Sequence, residues 1–292
     1  ELISRDIKLA GFSFTGSTVG NCQIGTNNVP MVPLDHVDEP DKGPDQVRLA
    51  VPVTNTTWTL ANQVTGGVTA NVIVLQTGAG NDMVSAGLVA GAVSGSTISI
   101  GGVISAKVTA RTNDQLTIEI PIGQGVFTVG TPVYLLQCVT YAIANGNPPC
   151  GGNGPCLTRN GVAIADGIED LQLAYGCDGC VSTINGGVPD GVVDNQDAVP
   201  GFNSGDFVTN NNWATLPLVP ASIRLVQINV VARQMLPDQG LGEANAPGTN
   251  TAGPIVVSNH NPSNDAGYNA TTYSQLRRRL ITRTVQVRNL GL

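Results

Sequence analysis

The sequence predicts an α+β protein that is mostly β, with the end of a helix at its N-terminus, antiparallel strands and long loops tied by disulfides. Three observations carry that expectation. Only 12% of the 292 residues are charged and 4% aromatic, while Gly (36), Thr, Asn and Val are abundant, a balance that suits strands joined by polar turns better than charged helices. Apolar residues recur at every second position in several short runs. Six cysteines, an even number, cluster in Gly-rich sequence, which indicates an oxidising, extracytoplasmic compartment.

At the N-terminus, Leu2, Ile3, Ile7 and Ala10 fall at helical spacing, with Arg5, Asp6 and Lys8 elsewhere on the wheel and Gly11 as a stop. Residues 1–11 therefore read as the end of a helix. The chain opens on Glu1 rather than Met and holds no apolar run long enough to cross a bilayer, so it is read as a processed or trimmed product. Pro30, Pro33, Pro40 and Pro44 then mark a loop carrying Asp35, Asp38, Glu39, Asp41 and Asp45, expected to be solvated.

Strands follow where alternation returns. Val47, Leu49, Val51 and Val53 share one face, Val72–Leu75 is a short apolar run, and Leu116, Ile118 and Ile120 alternate with polar residues. Between Gly78 and Gly102 the sequence falls to Gly, Ala, Ser and Val, read as short strands or a flexible hairpin. Further on, Leu171, Leu173 and Tyr175 alternate with Gln172 and Ala174. Val226, Ile228, Val230 and Ala232 form one face of a later strand, with Arg224 on the same side. Ile281, Val285 and Val287 line a terminal strand interrupted by Arg283. The chain reads as one head over 1–292, with a β-rich elaboration at 66–135, a Gly/Asn/Asp-rich loop insertion at 177–217 and an exposed loop at 236–272.

Composition also excludes function classes. A net charge of −7 with three lysines argues against a nucleic-acid partner, which needs a basic surface. The basic C-terminus lacks interleaved aromatics and reads as a solvated face or a contact with acidic neighbours. The six cysteines, Cys22, Cys138, Cys150, Cys156, Cys177 and Cys180, permit 15 pairings. The pairing adopted joins Cys150 to Cys156 and Cys177 to Cys180, leaving Cys22 for Cys138, which closes the longest loop. A zinc site from the close pairs ranks lower.

Candidate chemistry is sparse. In the loop Asn185–Asp197, counted from Gly186, Asp190, the Val192 carbonyl, Asp194 and Asp197 take the fifth, seventh, ninth and twelfth places of an EF-hand-like calcium loop, with Gly191 at the sharp turn. Gly186 and Val188 occupy places where acids belong, so Asn185, Asp178 or a distant oxygen would have to complete a Ca²⁺ site. A plain turn at Asp190-Gly191 explains the same residues. Cys177-Asp178-Gly179-Cys180 has redox spacing but follows a strand and precedes a Gly-rich loop, so it reads as a clip. The two histidines, His36 and His260, sit in Pro-rich loops and are expected to be exposed, with no nucleophile-elbow motif to use them. Glu169 and Asp170 are neighbours on a strand and should point to opposite faces, unlike a glycosidase pair. Gly78-Ala79-Gly80 is too short for a phosphate loop. Trp58 and Trp213 read as core as easily as a sugar platform.

The stretch Ile164-Ala165-Asp166-Gly167-Ile168-Glu169-Asp170-Leu171-Gln172-Leu173-Ala174-Tyr175-Gly176, followed by Arg277-Arg278-Arg279-Leu280-Ile281-Thr282-Arg283-Thr284-Val285-Gln286-Val287-Arg288-Asn289-Leu290, resembles PilW-type minor pilins of type IV pili. The segments Arg5–Gly11 and Phe127–Ile143 are similar to that family as well. The resemblance implies a pilin-like N-terminal helix packed on antiparallel sheet, and a non-enzymatic subunit of pilus assembly, placed in a tip or priming complex and supporting adhesion. It implies other minor and major pilins or a tip adhesin as partners, and location at the pilus or cell surface. Contact with a membrane would come only through an upstream helix segment. Two alternatives are a large pseudopilin of a type II secretion system and a secreted calcium-dependent β-sandwich adhesin.

Overall fold

The structure, a computed structural model, describes residues 1–12, 22–24, 27–28, 31–34, 43–53, 57–66, 71–119, 125–152, 154–179, 189–197, 199–209, 222–236 and 253–287. In chain order the elements are α1 (Leu2–Leu9), β1 (Gln23–Ile24), β2 (Asn27–Asn28), β3 (Met31–Leu34), β4 (Gln46–Pro52), β5 (Trp58–Thr59), β6 (Val64–Thr65) and β7 (Val72–Val74). Then come α2 (Ala79–Ser85), β8 (Thr97–Ile100), β9 (Ile104–Thr112), β10 (Gln115–Ile118), β11 (Val126–Phe127) and β12 (Pro132–Asn145). The chain continues through β13 (Pro155–Arg159), β14 (Val162–Asp166), β15 (Ile168–Cys177), β16 (Ile223–Arg233), α3 (Ala270–Ser274) and β17 (Arg278–Gln286). Antiparallel ladders join β1 to β2, β6 to β11, β7 to β10, β8 to β9 and to β12, β9 to β10, β12 to β5 and to β13, β13 to β14, β15 to β16 and β16 to β17, and the fold is mostly β.

The chain gathers into two compact units, one of residues 1–8, 33–48 and 140–292 and the other of 9–32 and 49–139. The stretch 66–135 falls wholly in the second unit. There the first part of β12 pairs with β8, and β8, β9, β10 and β7 follow in order. Alternation explains the core: Ile98, Ile100, Val108, Leu116 and Val133 project to one side and are fully buried with Leu60 and Ile73. Trp58, also in this core, is 5% exposed. Cys22 and Cys138 form a disulfide packed against Ala50 and Leu136.

The Gly/Ala/Ser-rich stretch differs from expectation, because its first part is the helix α2. Propensity does not account for it, since Gly80 and Asn81 are poor helix formers. Its N-terminus is held from outside: the Asp114 carboxylate accepts the Gly78 N–H at 3.1 Å and the Gly80 N–H at 2.8 Å. Buried Met83 anchors the helix in the core. Gly80 is required there, because a Cβ would run into the Asn113 carbonyl.

In the first unit, Tyr141–Asn145 of β12 pair with β13, and β13 with β14. Cys150 and Cys156 form a disulfide. α1 buries Ile3 and Ile7 as its spacing predicts. It also buries Asp6, at 1% exposure, where the wheel suggested a polar outer position. Asp6 Oδ2 accepts the Tyr141 hydroxyl at 2.7 Å and Arg159 Nε at 3.0 Å. Burial and the neighbouring carboxylate push the Tyr141 pKa well above the usual phenol range.

A three-stranded sheet, ordered β15-β16-β17, completes this unit. Leu171, Leu173 and Tyr175 meet Val230, Ile228 and Val226 across β16, forming the apolar face that alternation predicts. The opposite face of β15 is buried as well, with Gln172 and Ala174 each 1% exposed. Asp45, expected in solvent, is buried instead: its N–H bonds the Leu171 carbonyl at 2.8 Å and its Oδ2 accepts the Leu173 N–H at 2.7 Å. Asp35, His36, Asp38, Glu39 and Asp41 lie outside the described residues, as does Trp213.

Candidate functional site

At the head of this sheet a β-bulge changes what the sequence offers. Ile168 faces Ala232 and Asp170 faces Val231, so Glu169 is an extra residue on β15. The preceding turn at Gly167 has φ +73° and lies too close to the Arg233 carbonyl for a side chain. The extra residue breaks strict alternation, and Glu169 and Asp170 line the same cavity instead of pointing to opposite faces.

That cavity, of about 490 Å³, is walled by the start of β15, the end of β16, the start of β17 and the segment 255–273. His260 is buried in its wall, 3% exposed, which corrects the expectation of an exposed loop histidine. Its Nδ1 lies 2.8 Å from Asp170 Oδ2 and its Nε2 3.0 Å from Asp265 Oδ1. Burial alone would lower the imidazole pKa, but hydrogen bonds and charge from Asp170 and then Asp265 outweigh it and push the pKa up to about 9. His260 is thus a cation at neutral pH with both nitrogens occupied. It fastens the 254–269 segment to β15 and offers no free nitrogen to a substrate.

The other wall is an arginine pair. Arg278 donates to Glu169 and to the Tyr273 carbonyl, and its guanidinium sits 3.4 Å over the Tyr273 ring. Arg233 lies 3.8 Å from the same Glu169 carboxylate. Desolvation lowers the Arg233 pKa and the Glu169 charge opposes that shift. Tyr268 leans on Tyr273 with ring centroids 5.5 Å apart. Every strong charge on these walls has an opposite partner, so the arrangement is suited to holding strands and loop together.

The candidate calcium loop is placed beyond β15. Asp178 is fully buried; its carboxylate accepts the N–H groups of Asp190 (2.8 Å) and Gly191 (3.2 Å) and pairs with Arg224 at 2.9 Å. Asp190 accepts the Val192 N–H at 2.9 Å, and Asp194 the Gly179 N–H at 3.0 Å. Asp197 accepts the Val199 N–H at 2.8 Å. Buried Asp206, not singled out from the sequence, accepts the N–H groups of Gln196 (2.7 Å), Asp197 (3.3 Å) and Asn203 (2.6 Å). Among the described residues these carboxylates are turned toward backbone N–H groups, and no three acids, cysteines or histidines converge as a metal group. Asn185 lies outside the described residues. Cys177 is in a disulfide, and its expected partner, Cys180, also lies outside them.

The third feature is β17. Residues Arg279–Thr284 are exposed on both faces of the strand, including Leu280 (41%) and Ile281 (50%). The sequence expectation of a solvated or partner-contacting terminal strand lands on this surface. Arg283 Nη1 bonds Glu1 at 2.6 Å.

No curated protein and no solved structure matches the chain. Residues 133–289, more than half of it, match the family model of the type IV pilus-assembly protein W. They take in β13 to β17, both walls of the cavity and the exposed terminal strand. The chain therefore belongs to the PilW family of type IV pilus-assembly proteins.

Proposed function

We propose that this protein is a non-enzymatic minor pilin that joins a tip or priming complex of the type IV pilus and helps to start filament assembly. The observation that carries the reading is where the family match falls. From residue 140 onward it coincides with the first unit, while the second unit lies outside it except for 133–139. Pilus assembly is thus assigned to the first unit, and any role in presenting an adhesin to the second. The cavity supports the structural character of that assignment, since its histidine and arginines are tied to carboxylates. α1, with Ile3 and Ile7 buried and Asp6 bonded to Tyr141 and Arg159, serves in this reading as the end of a longer anchoring helix. Partners are other minor and major pilins at the cell surface.

The test uses the full-length protein with its native upstream segment, expressed in cells that assemble pili. The protein should be recovered with sheared filaments, and its deletion should lower the number of pili. Absence from every filament fraction together with unchanged piliation overturns the reading. Loss of protein secretion with normal pili would favour the pseudopilin alternative instead.

A further inference from the structure

The two outer strands of the β15-β16-β17 sheet differ in how their edges are treated. An open sheet edge presents a row of unpaired N–H and C=O groups, and stable folds cover it. Along β15 the covering is visible: Asp45 takes the Leu171 carbonyl and the Leu173 N–H, and Tyr175 and Val208 exchange N–H···O bonds at 2.9 and 2.8 Å. Along β17 it is not. The Val287 N–H donates to the Arg224 carbonyl at 2.9 Å, and Val285 pairs with Val226 in the same register. Bonded pairs recur at every second residue of an antiparallel ladder, so Arg279, Ile281, Arg283 and Val285 bond to β16. The backbone groups of Leu280, Thr282 and Thr284 turn outward. Among the described residues β17 pairs with β16 alone.

We propose that the outer edge of β17 is a docking site completed by an acidic, extended segment of another protein, which adds a fourth strand. The side chains set its chemistry. On one face β17 presents Arg279, Ile281 and Arg283, all exposed, and residues directly opposite on an added strand interact favourably when charge is opposed and apolar meets apolar. The matching segment therefore reads acidic, any, apolar, any, acidic. On the other face Leu280, Thr282 and Thr284 suit β-branched residues at the intervening positions. Main-chain bonds supply affinity and the alternate side chains supply selectivity, as in other strand additions. Charge favours such a partner: the chain carries −7 overall, yet its last strand is basic. In the pilus reading the partner is another pilus subunit. Strand addition itself does not depend on that reading, and its test uses no filaments.

The experiment titrates the isotopically labelled chain with the synthetic peptide Thr-Val-Glu-Thr-Val-Thr-Glu-Val-Thr, and with a control in which both Glu are Lys. The acidic peptide should shift the backbone amides of Leu280, Thr282 and Thr284 and slow their hydrogen exchange, with binding that weakens as salt rises. Thr284→Pro deletes an outward N–H without touching the β16 ladder. It should keep the native melting temperature and weaken the peptide about 5–10-fold, the effect of one lost main-chain bond. Arg279→Glu combined with Arg283→Glu should reverse the preference toward the Lys peptide, which keeps the test sound if the proline variant fails to fold. No amide shift along β17 at millimolar peptide, equal binding of the two peptides, or shifts confined to another strand would overturn the proposal. So would self-association of the chain that Thr284→Pro abolishes, since that places a second copy on this edge.

Discussion

β15 and β17 belong to one sheet and flank the same central strand, yet eight consecutive residues of β15, Asp170–Cys177, are buried, while six of β17, Arg279–Thr284, are exposed. The contrast holds within single rows. Leu171, Val230 and Ile281 stand side by side across the three strands, with Leu171 at 0% exposure and Ile281 at 50%. The difference teaches where this sheet closes on itself and where it is left open. β15 is covered on both faces and its edge is plugged by Asp45 and Val208; among the described residues β17 has neither cover nor plug. The same backbone geometry is structural on one side and available on the other.

The sharpest way to break this comparison is to make the same change at both ends of one row. Leu171→Ala removes a fully buried side chain and should cost about 2–5 kcal/mol in denaturant unfolding. Ile281→Ala, half in water, should cost less than about 1 kcal/mol. Equal losses would mean that β17 is covered in solution and not open.

The fastening of the 254–269 segment onto β15 gives the next effect, and its sign follows from His260. Its folded pKa of about 9 lies above the ordinary imidazole value of 6.5, so the stabilisation is fully present below pH 6.5 and is lost as pH rises through 9. The shift corresponds to about 3 kcal/mol, as an order of magnitude. Melting scans between pH 6 and 10 should show this loss in the parent and not in His260→Gln, which should already be destabilised at pH 6 by leaving Asp170 buried without its cation. A parent protein equally stable across that range would refute the charged lock.

Removing the plug on the β15 edge is a smaller perturbation. Asp45→Ala leaves the Leu173 N–H without its acceptor and should cost about 1–3 kcal/mol. Hydrogen exchange at Leu173 should quicken more than exchange in β16, so that β15 begins to behave like β17. Uniform exchange across the sheet would show that burial of the faces, and not the edge cap, protects the strand.

Much of this contrast was legible in the sequence, and the rest was hidden for identifiable reasons. Alternation marked Leu171, Leu173 and Tyr175 on β15, and Val226 and Ile228 on β16, because a period of two survives whatever packs above it. The pairing of Cys150 with Cys156 was adopted for their closeness and that of Cys22 with Cys138 by elimination, and both are present. The bulge at Glu169 was hidden, since one extra residue in a strand has no compositional mark, and it alone moves Glu169 to the side of Asp170. The burial of His260 was hidden too, because its first partner lies 90 residues earlier in the chain. α2 owes its start to Asp114, 34 residues beyond Gly80, so local propensity pointed the wrong way. The exposure of β17 was half visible: the run of arginines suggested a wet strand, but only the pairing order shows that among the described residues it pairs on one side alone.

The smallest expected effect concerns the loop that leaves β15 at Cys177. Asp190 and Asp194 each hold one backbone N–H, so Asp190→Ala combined with Asp194→Ala should lower stability in chelator by about 1–2 kcal/mol, the sum of two partly exposed hydrogen bonds. The calcium loop read from the sequence adds a separate expectation, a further loss that is seen only when the ion is supplied. Melting the parent and the double variant with calcium and with chelator separates the two contributions, because the backbone bonds are indifferent to the ion. Equal melting of the parent in both buffers would discard the metal and leave the carboxylates as clasps that close the end of the buried strand. A calcium-dependent gain in the parent that vanishes in the double variant would show that β15 is secured at its C-terminal end by an ion as well, which would widen its difference from β17.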